Sequence, residues 1–233
     1  MDTVDRRTRI AGLLYLALVG VAPLRLLVIP NKLFVHGNAA ATSSNVAAHA
    51  TLFRAGMAAD LLAALLLLAI TLVLYELFKD VDRGQARLLV VLGGILPVPI
   101  YFLNVLNDAA VLQLATGADY LVAFTVGQRA SLLMLFLDLH GYGFRVNEIF
   151  WGLWLLPFGR LINTSGLFPR LLGWLLYING AAYLASSLTG ILLPQMEPTV
   201  TRMLYPLTLG EVVVMAWFVI RGARGRHVHS LAR

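Results

Sequence analysis

Apolar stretches of about 20 residues recur along the whole chain, and this feature restricts its fold more than any other. About 20 apolar residues is the length at which an α-helix crosses the hydrocarbon layer of a bilayer. Backbone polar groups in that layer must be satisfied internally, so long continuous apolar stretches predict helices. Only 13% of the 233 residues are charged, against roughly 25% in soluble domains. The sequence therefore predicts an all-α, integral membrane helical bundle that forms one transmembrane domain over residues 1–233.

Six transmembrane helices are predicted from these stretches. They cover roughly residues 10–30, 56–78, 87–112, 141–162, 170–193 and 203–221. A further segment, residues 120–139, is predicted to form an interfacial helix on the outer side or to re-enter the membrane, and a glycine-rich turn in "DLHGYG" would join it to the fourth span. The alternative is that this segment also crosses, which gives seven spans. The outer loop of residues 31–55 is predicted to contain a short helix with Thr42 or Ser43 as its N-cap.

Basic residues are distributed unequally between the two ends of the predicted spans. With the N-terminus in the cytoplasm, twelve of the 18 Lys and Arg residues lie in cytoplasmic segments, four lie in outer segments and two lie inside spans. The positive-inside rule then predicts a protein of the plasma (inner) membrane with both termini cytoplasmic. The net charge of +6 follows from this orientation signal and does not indicate nucleic-acid binding. The absence of cysteine excludes disulfides and thiolate chemistry.

The polar residues of every predicted span lie in the half nearer the outer side. Helical spacing places Tyr101, Asn104 and Asp108 on one face of the third span, and Asn179 and Tyr183 on one face of the fifth. Ionisable residues inside a bilayer are costly to bury, and their default interpretation is a functional site. The sequence therefore predicts a polar cavity in the outer half of the bilayer.

The candidate site residues fall into two groups by the chemistry that they offer. Buried carboxyl and imidazole groups suit acid/base chemistry, and the catalytic candidates are Asp60, Asp108, Glu211, Asp138 and His140. The candidates for binding a ligand are Arg145, Asn104, Asn107, Tyr101, Glu148, Tyr183, Asn179 and Arg25. The simpler alternative is that the arginines and carboxylates pair and only fix helix packing. The sequence has no H-E-x-x-H or similar spacing, and neither a metal nor a cofactor is predicted.

Four segments carry a family resemblance: "RIAGLLYLALVG", "LFRAGMAADL", "LFLDLHGYGF" and "SGLFPRLLGWLLYINGAAYL". They resemble a bacterial and archaeal family of polytopic membrane proteins catalogued only as a domain of unknown function. The resemblance covers about residues 9–193 and implies a multi-pass plasma-membrane protein of this size. It implies no activity, so no catalytic role is carried over from it.

Three functional hypotheses remain open from the sequence. In the first, a buried carboxyl group carries out acid/base chemistry on a lipid or isoprenoid-like substrate. In the second, the cavity binds a small, for example anionic, solute for transport or sensing, with hinges at Pro97, Pro99 and the glycines of residues 141–143. A transporter of this size would work as a homo-oligomer. In the third, the chain is an accessory membrane subunit without catalytic function. The expected partners are membrane lipid and a lipid-like or small anionic ligand.

Overall fold

The computed structural model describes residues 3–223, and within them all regular secondary structure is helical, without strands. The α-helices are α1 (Thr3–Pro23), α2 (Ile29–Leu33), α3 (Ala39–Ala48), α4 (Ala50–Phe78), α5 (Arg83–Val90), α6 (Pro97–Thr116), α7 (Val126–Ser165), α8 (Arg170–Leu192), α9 (Glu197–Leu204) and α10 (Gly210–Ile220). π-Helical turns, Leu24–Val28 and Val91–Ile95, join α1 to α2 and α5 to α6, so each pair forms one long rod. A 3-10 turn, Tyr205–Leu209, joins α9 to α10.

Several helical segments are long and apolar enough to cross a membrane. In the described part of the chain there are five: Thr3–Leu33, Ala50–Phe78, Arg83–Thr116, Arg170–Leu192 and Glu197–Ile220. They coincide with five of the six predicted spans, and a helical membrane bundle is confirmed. The remaining predicted span lies in the C-terminal part of α7. That part is less apolar because Arg145, Asn147 and Glu148 interrupt it.

The helix α7 is continuous for 40 residues, from Val126 to Ser165. At 1.5 Å per residue it is about 60 Å long, roughly twice the thickness of the hydrocarbon layer. The turn predicted at "DLHGYG" is therefore wrong, and a seventh span ending at residue 139 would need the same break. The segment predicted as an interfacial helix is the first part of α7. Thr125 is the N-cap of α7, and its side chain forms a capping box with Gln128.

The short helix predicted in the outer loop is present as α3, but its N-cap is Asn38 and not Thr42 or Ser43. The Asn38 side chain accepts a hydrogen bond of 2.9 Å from the backbone N–H of Ala41. Thr42 lies inside the helix and is fully buried, and its hydroxyl accepts a hydrogen bond from the backbone N–H of Val35. Thr42 therefore fixes α3 against the preceding turn instead of capping it.

The prolines of the third predicted span lie beside a helix irregularity. Pro97 begins α6, and the π-helical turn Val91–Ile95 directly precedes it. Pro97 has no N–H to donate, so the regular helical ladder is interrupted there. The backbone N–H of Leu96 bonds to the carbonyl of Val91, five residues back. A wide helical turn therefore directly precedes Pro97, one of the predicted hinges.

Six of the helices pack in a closed ring. α1 packs against α4, α4 against α6, α6 against α7, α7 against α8 and α8 against α10, which returns to α1. Small residues allow the closest of these contacts. Gly152 on α7 faces Gly180 on α8, and a Cβ added to either residue would lie 2.8 Å from the carbonyl oxygen of the other. The ring can therefore enclose a space along its axis.

The two ends of the ring differ in composition. At one end Arg7 donates a hydrogen bond to the carbonyl oxygen of Glu76, and Arg9 donates one to the carbonyl oxygen of Val219. We call this the basic end; it holds the first turns of α1, α5 and α8 and the last turns of α4, α7 and α10. At the opposite end α3 packs against α6 and α7, and we call this the α3 end.

Two separate apolar cores lie at these ends. The core at the basic end contains large buried side chains, among them Phe78, Trp154, Phe158 and Phe218. The core at the α3 end contains Ile29, Leu33, Val46, Phe53, Val111, Leu114 and Leu133. The buried ionisable residues Arg25, Asp60, Asp108 and His140 lie between the two cores.

Candidate functional site

Four ionisable side chains meet between the two cores, and we call them the charged quartet: Arg25, Asp60, Asp108 and His140. They come from the π-helical turn after α1 and from α4, α6 and α7, and each is at most 7% exposed. Arg25 Nε and Nη2 donate hydrogen bonds of 3.0 and 2.8 Å to the two carboxylate oxygens of Asp108. Such bidentate, charge-assisted pairs are among the strongest polar contacts in proteins.

His140 lies between the two carboxylates of the quartet. Its Nδ1 is 3.2 Å from Asp108 Oδ1, and its Nε2 is 3.9 Å from Asp60 Oδ2. Asp60 Oδ2 is also 3.8 Å from Arg25 Nε. Two carboxylates therefore face one guanidinium, and the imidazole lies between them.

Asp60, Asp108 and His140 each offer one ligand atom to a metal ion, and these atoms lie within 4.8 Å of one another. Arg25, however, occupies both oxygens of Asp108 and places a positive charge beside the position that a cation would take. These residues therefore fit an ion-pair network better than a metal centre.

The position of Arg25 depends on a glycine of α4. A Cβ added to Gly56 would overlap the side chain of Ile29 and lie 3.4 Å from Arg25 Cδ. Without that Cβ, the rod of α1 and α2 approaches α4 closely enough for Arg25 to reach Asp108. The rings of Phe34 and Phe53, each 5.9 Å from the guanidinium carbon, cover Arg25. Aromatic side chains therefore cover the guanidinium of Arg25 on this side.

A cavity of about 10 Å³ adjoins the quartet, and we call it the water-sized cavity. Its lining contains Ala22, Leu26, Asp60, Ala63, Tyr101, Asn104, His140, Phe144 and Asn147. Gly143 gives Asn104 its place there, since a Cβ on that glycine would overlap the Asn104 side chain. Gly143, which was predicted to form a turn, instead permits close contact between α7 and α6.

A second cavity, of about 130 Å³, lies on the axis of the ring, and we call it the central cavity. Every helix of the ring contributes to its wall: Tyr15, Leu18, Val19, Ala22, Leu26, Leu67, Tyr101, Trp151, Trp154, Tyr183 and Glu211. Tyr183 Oη donates a hydrogen bond of 2.8 Å to Glu211 Oε1, and the backbone N–H of Glu211 donates one of 2.8 Å to Asn179 Oδ1. Within residues 3–223 no Lys, Arg or His side chain lies within 4.0 Å of the Glu211 carboxyl group.

The third cavity has a volume of about 570 Å³, and we call it the large cavity. It lies between the π-helical turn after α1, α7, α8 and the segment from α9 to the 3-10 turn. Its polar wall includes Arg25, His140, Arg145, Glu148, Ser186, Glu197, Thr201, Tyr205 and Thr208. Trp151 and Tyr183 also line the central cavity, and His140 and Phe144 also line the water-sized cavity. The three spaces therefore share walls.

The structure brings most of the predicted site residues together. Asp60, Asp108, His140 and Arg25 form the quartet; Asn104 and Tyr101 line the water-sized cavity; Tyr183, Asn179 and Glu211 form one hydrogen-bonded group; Arg145 and Glu148 line the large cavity. Two candidates lie elsewhere. Asp138 is exposed, two residues before His140 and so on the opposite face of α7, and Asn107 is half-buried and lines none of the three cavities.

Several residues of these walls were missing from the predicted site, among them Tyr15, Asn147, Trp151 and Glu197. Tyr15 lies within an apolar stretch, so composition gives no signal for it. Asn147 is seven residues after His140, and that spacing places both on one face of α7. Trp151 sits in the centre of the aromatic wall, and Glu197 lies with its Oε2 3.6 Å from Arg145 Nη2. For Asn147 the helical spacing from His140 was a usable signal.

Comparison with known proteins identifies the family of the chain but no activity. Neither a curated protein nor a solved structure matches the chain. The family model described as "Domain of unknown function (DUF4386)" matches residues 10–222, which include the quartet, Glu211 and α10. The match thus extends beyond the four segments that carry the family resemblance, which covers about residues 9–193. The chain belongs to this family of domains of unknown function.

Proposed function

We propose that this multi-pass membrane protein is an enzyme that protonates a carbon–carbon double bond of an isoprenoid-like lipid, with Glu211 as the general acid. The observation that carries the proposal is the environment of Glu211. This buried carboxyl group faces an aromatic cavity and has no basic side chain within 4.0 Å in the described chain. Burying an ionised carboxylate without a partner cation is costly, so the site suits the neutral, proton-donating acid.

The aromatic wall of the central cavity supports chemistry through a carbocation. Protonation of a double bond leaves a positive charge on carbon, and aromatic faces attract such charge. The ring of Trp151 lies between Tyr101 and Tyr183, at centroid distances of 6.2 and 5.9 Å. Acyl transfer would instead need an array of hydrogen-bond donors for an oxyanion, whereas this wall consists mainly of rings and aliphatic groups.

The large cavity supports a lipid-like substrate. Its volume lies within the range of about 300–1,000 Å³ that is typical of small-molecule sites. Leu26 and Leu27, on the π-helical turn, are 40% and 55% exposed, so an apolar entrance faces the surroundings of the bundle. We place the polar end of the substrate near Arg145 and Ser186, and its double bond in the central cavity near Glu211. Membrane lipid is the proposed source of the substrate.

The distribution of charge supports an orientation in the plasma membrane. In the described chain the basic end carries Arg6, Arg7, Arg9, Lys79, Arg83, Arg87, Arg160, Arg170 and Arg221. The positive-inside rule assigns this end to the cytoplasm, together with both termini. The quartet and the large cavity then lie in the outer half of the bilayer. The C-terminal part of α7 is taken as the sixth span because it lies between α6 and α8 in the ring.

The absence of native cysteine allows a direct test of this orientation. Asp80 follows α4 at the basic end, Asp119 follows α6 at the α3 end, and both are exposed. In intact cells we expect a membrane-impermeant maleimide to label the variant Asp119→Cys and to label Asp80→Cys only after permeabilisation. The reverse pattern would contradict the proposed orientation.

The lipid retained by an inactive variant tests the proposed activity. We expect purified Glu211→Gln to retain an unsaturated isoprenoid-like lipid, because the variant binds substrate but has no acidic proton to donate. Ala22→Phe, which fills the space between the central and water-sized cavities, is expected to lose that lipid. Mass spectrometry of lipid extracts measures the lipid content of both variants. Glu76→Gln, at the basic end, is the matched control.

Equal lipid content in Glu211→Gln and Ala22→Phe would overturn the enzyme proposal. A hydrophilic solute retained in place of a lipid would favour a transporter or sensor. Circular dichroism and thermal unfolding in detergent establish that each variant is folded before its extract is compared.

A further inference from the structure

Two buried residues that line the water-sized cavity, Asn147 and Asp60, carry hydrogen-bond acceptors without a donor. Asn147 is 1% exposed, and its Oδ1 has no hydrogen-bond partner in the structure. Asp60 is 7% exposed, and its nearest cationic nitrogens, on Arg25 and His140, are 3.8 and 3.9 Å away, beyond hydrogen-bond distance. Leaving buried acceptors without donors is costly, so their common neighbourhood indicates a small donor between them.

A single water molecule fits this position. The cavity measures about 10 Å³, close to the space that one water requires, and a buried water needs two to four polar partners. Water can donate one hydrogen to Asp60 and the other to Asn147. A metal cation would instead lie beside the positive charge of Arg25, which already neutralises Asp108.

The position of this cavity connects the water to the proposed reaction. Ala22, Leu26 and Tyr101 line both the water-sized and the central cavity, so the two cavities adjoin at these residues. His140 and Phe144 are shared in the same way with the large cavity. Asp60 is the carboxylate of the quartet that accepts no hydrogen bond from Arg25, so its oxygens are available to the water.

We propose that this water is a reactant and that the enzyme is a hydratase of isoprenoid-like lipids. This inference rests on the proposed function of Glu211. Glu211 gives its proton to one carbon of the double bond, and the π electron pair forms the new C–H bond. The water oxygen then forms a C–O bond with the cationic carbon, and the proton that it loses passes to Asp60. Return of that proton to Glu211 restores both groups, and the net reaction adds one water molecule to the double bond.

Oxygen-isotope labelling tests this step. Membranes that contain the protein are supplied with squalene, farnesol and geranylgeraniol in water enriched in the heavy oxygen isotope, and lipids are analysed by mass spectrometry. We expect a product heavier than its substrate by one heavy-oxygen water molecule. Asp60→Asn should lower its yield by about a hundredfold or more and divert turnover to double-bond isomers, because the cation then loses a proton instead. Asp119→Asn, an exposed carboxylate, is the matched control.

Asn147→Ala removes an acceptor of the water without changing the charge of the quartet. We expect it to lower the yield of the oxygen-labelled alcohol by about tenfold, the scale of one lost hydrogen bond, with little change in thermal stability. It keeps the test informative if Asp60→Asn does not fold.

Two results would overturn the inference, and they separate it from the proposed function. Deuterium incorporated from heavy water in a Glu211-dependent way, without heavy oxygen, would show that the cation is not captured by water while Glu211 still acts as the acid. Absence of both labels from all three isoprenoids and from the membrane lipids would overturn the hydratase and the proposed function together.

Discussion

Replacing Arg25 with methionine is expected to lower the stability of the folded protein by about 3–5 kcal/mol, the scale measured when one partner of a buried ion pair is removed. The reason is that Asp108 is fully buried and takes both of its guanidinium hydrogen bonds from Arg25. Without Arg25, two carboxylates would remain with His140 as their only compensation. Thermal or denaturant unfolding in detergent measures the loss.

A control and a second variant make this prediction specific. Arg54→Met removes an exposed arginine from α4 near the same end and should change stability by less than about 1 kcal/mol. Adding Asp108→Leu to Arg25→Met should recover part of the loss, since the uncompensated charge disappears with its partner. Equal stability of the Arg25 and Arg54 variants would show that the quartet does not stabilise the bundle.

Replacing Glu211 with glutamine is expected to lower turnover by about 10²–10⁴-fold, the usual contribution of a general acid. The amide oxygen can still accept the hydrogen bond from Tyr183, and the backbone bond to Asn179 is unchanged. The variant should therefore unfold at nearly the temperature of the wild type. Loss of activity with preserved stability would separate a catalytic role from a packing role.

Tyr183→Phe refines this prediction, since it keeps the ring of the cavity wall and removes only the hydrogen bond to Glu211. We expect a smaller loss of turnover, of about tenfold, the scale of one hydrogen bond to the acid. Turnover of Glu211→Gln at the wild-type rate would remove Glu211 from the mechanism, whatever the effect of Tyr183→Phe.

The spans were predictable from the sequence because their signal is local. About 20 apolar residues in a row are enough to indicate a membrane helix, and no knowledge of its neighbours is needed. Residues that share a helix face could be predicted from equally local information. Asn104 and Asp108 are four residues apart, and both are buried, as their spacing predicts. The prediction that polar residues lie toward one end of each span also used only local information, the direction of each span.

The sequence did not predict the course of α7. Gly141 and Gly143 are turn-forming residues in isolation, yet both lie in a helix that continues without a break. Glycine costs about 1 kcal/mol in a helix, and packing outweighs that cost where Gly143 admits the side chain of Asn104. The partner that decides the conformation comes from another helix, so no local pattern contains it.

The sequence also did not predict which side chains of the site pair with one another. Arg25 reaches Asp108 from a π-helical turn. The sequence around Arg25 gives no signal that predicts this backbone conformation. Tyr15 faces the central cavity because α1 packs between α4 and α10, and its neighbours in sequence are all apolar. Distances between helices depend on the packing of the whole ring, whereas sequence spacing reports only one helix at a time.

Incorporation of deuterium from heavy water tests the central claim, that Glu211 protonates a double bond, most directly. Membranes that contain the wild type or Glu211→Gln are incubated in deuterium oxide with the three isoprenoids, and their lipids are compared by mass spectrometry. The account predicts a carbon-bound deuterium in a lipid product of the wild type that is absent from the variant. A product that forms with equal deuterium content in both proteins, or turnover without deuterium on carbon, would contradict it.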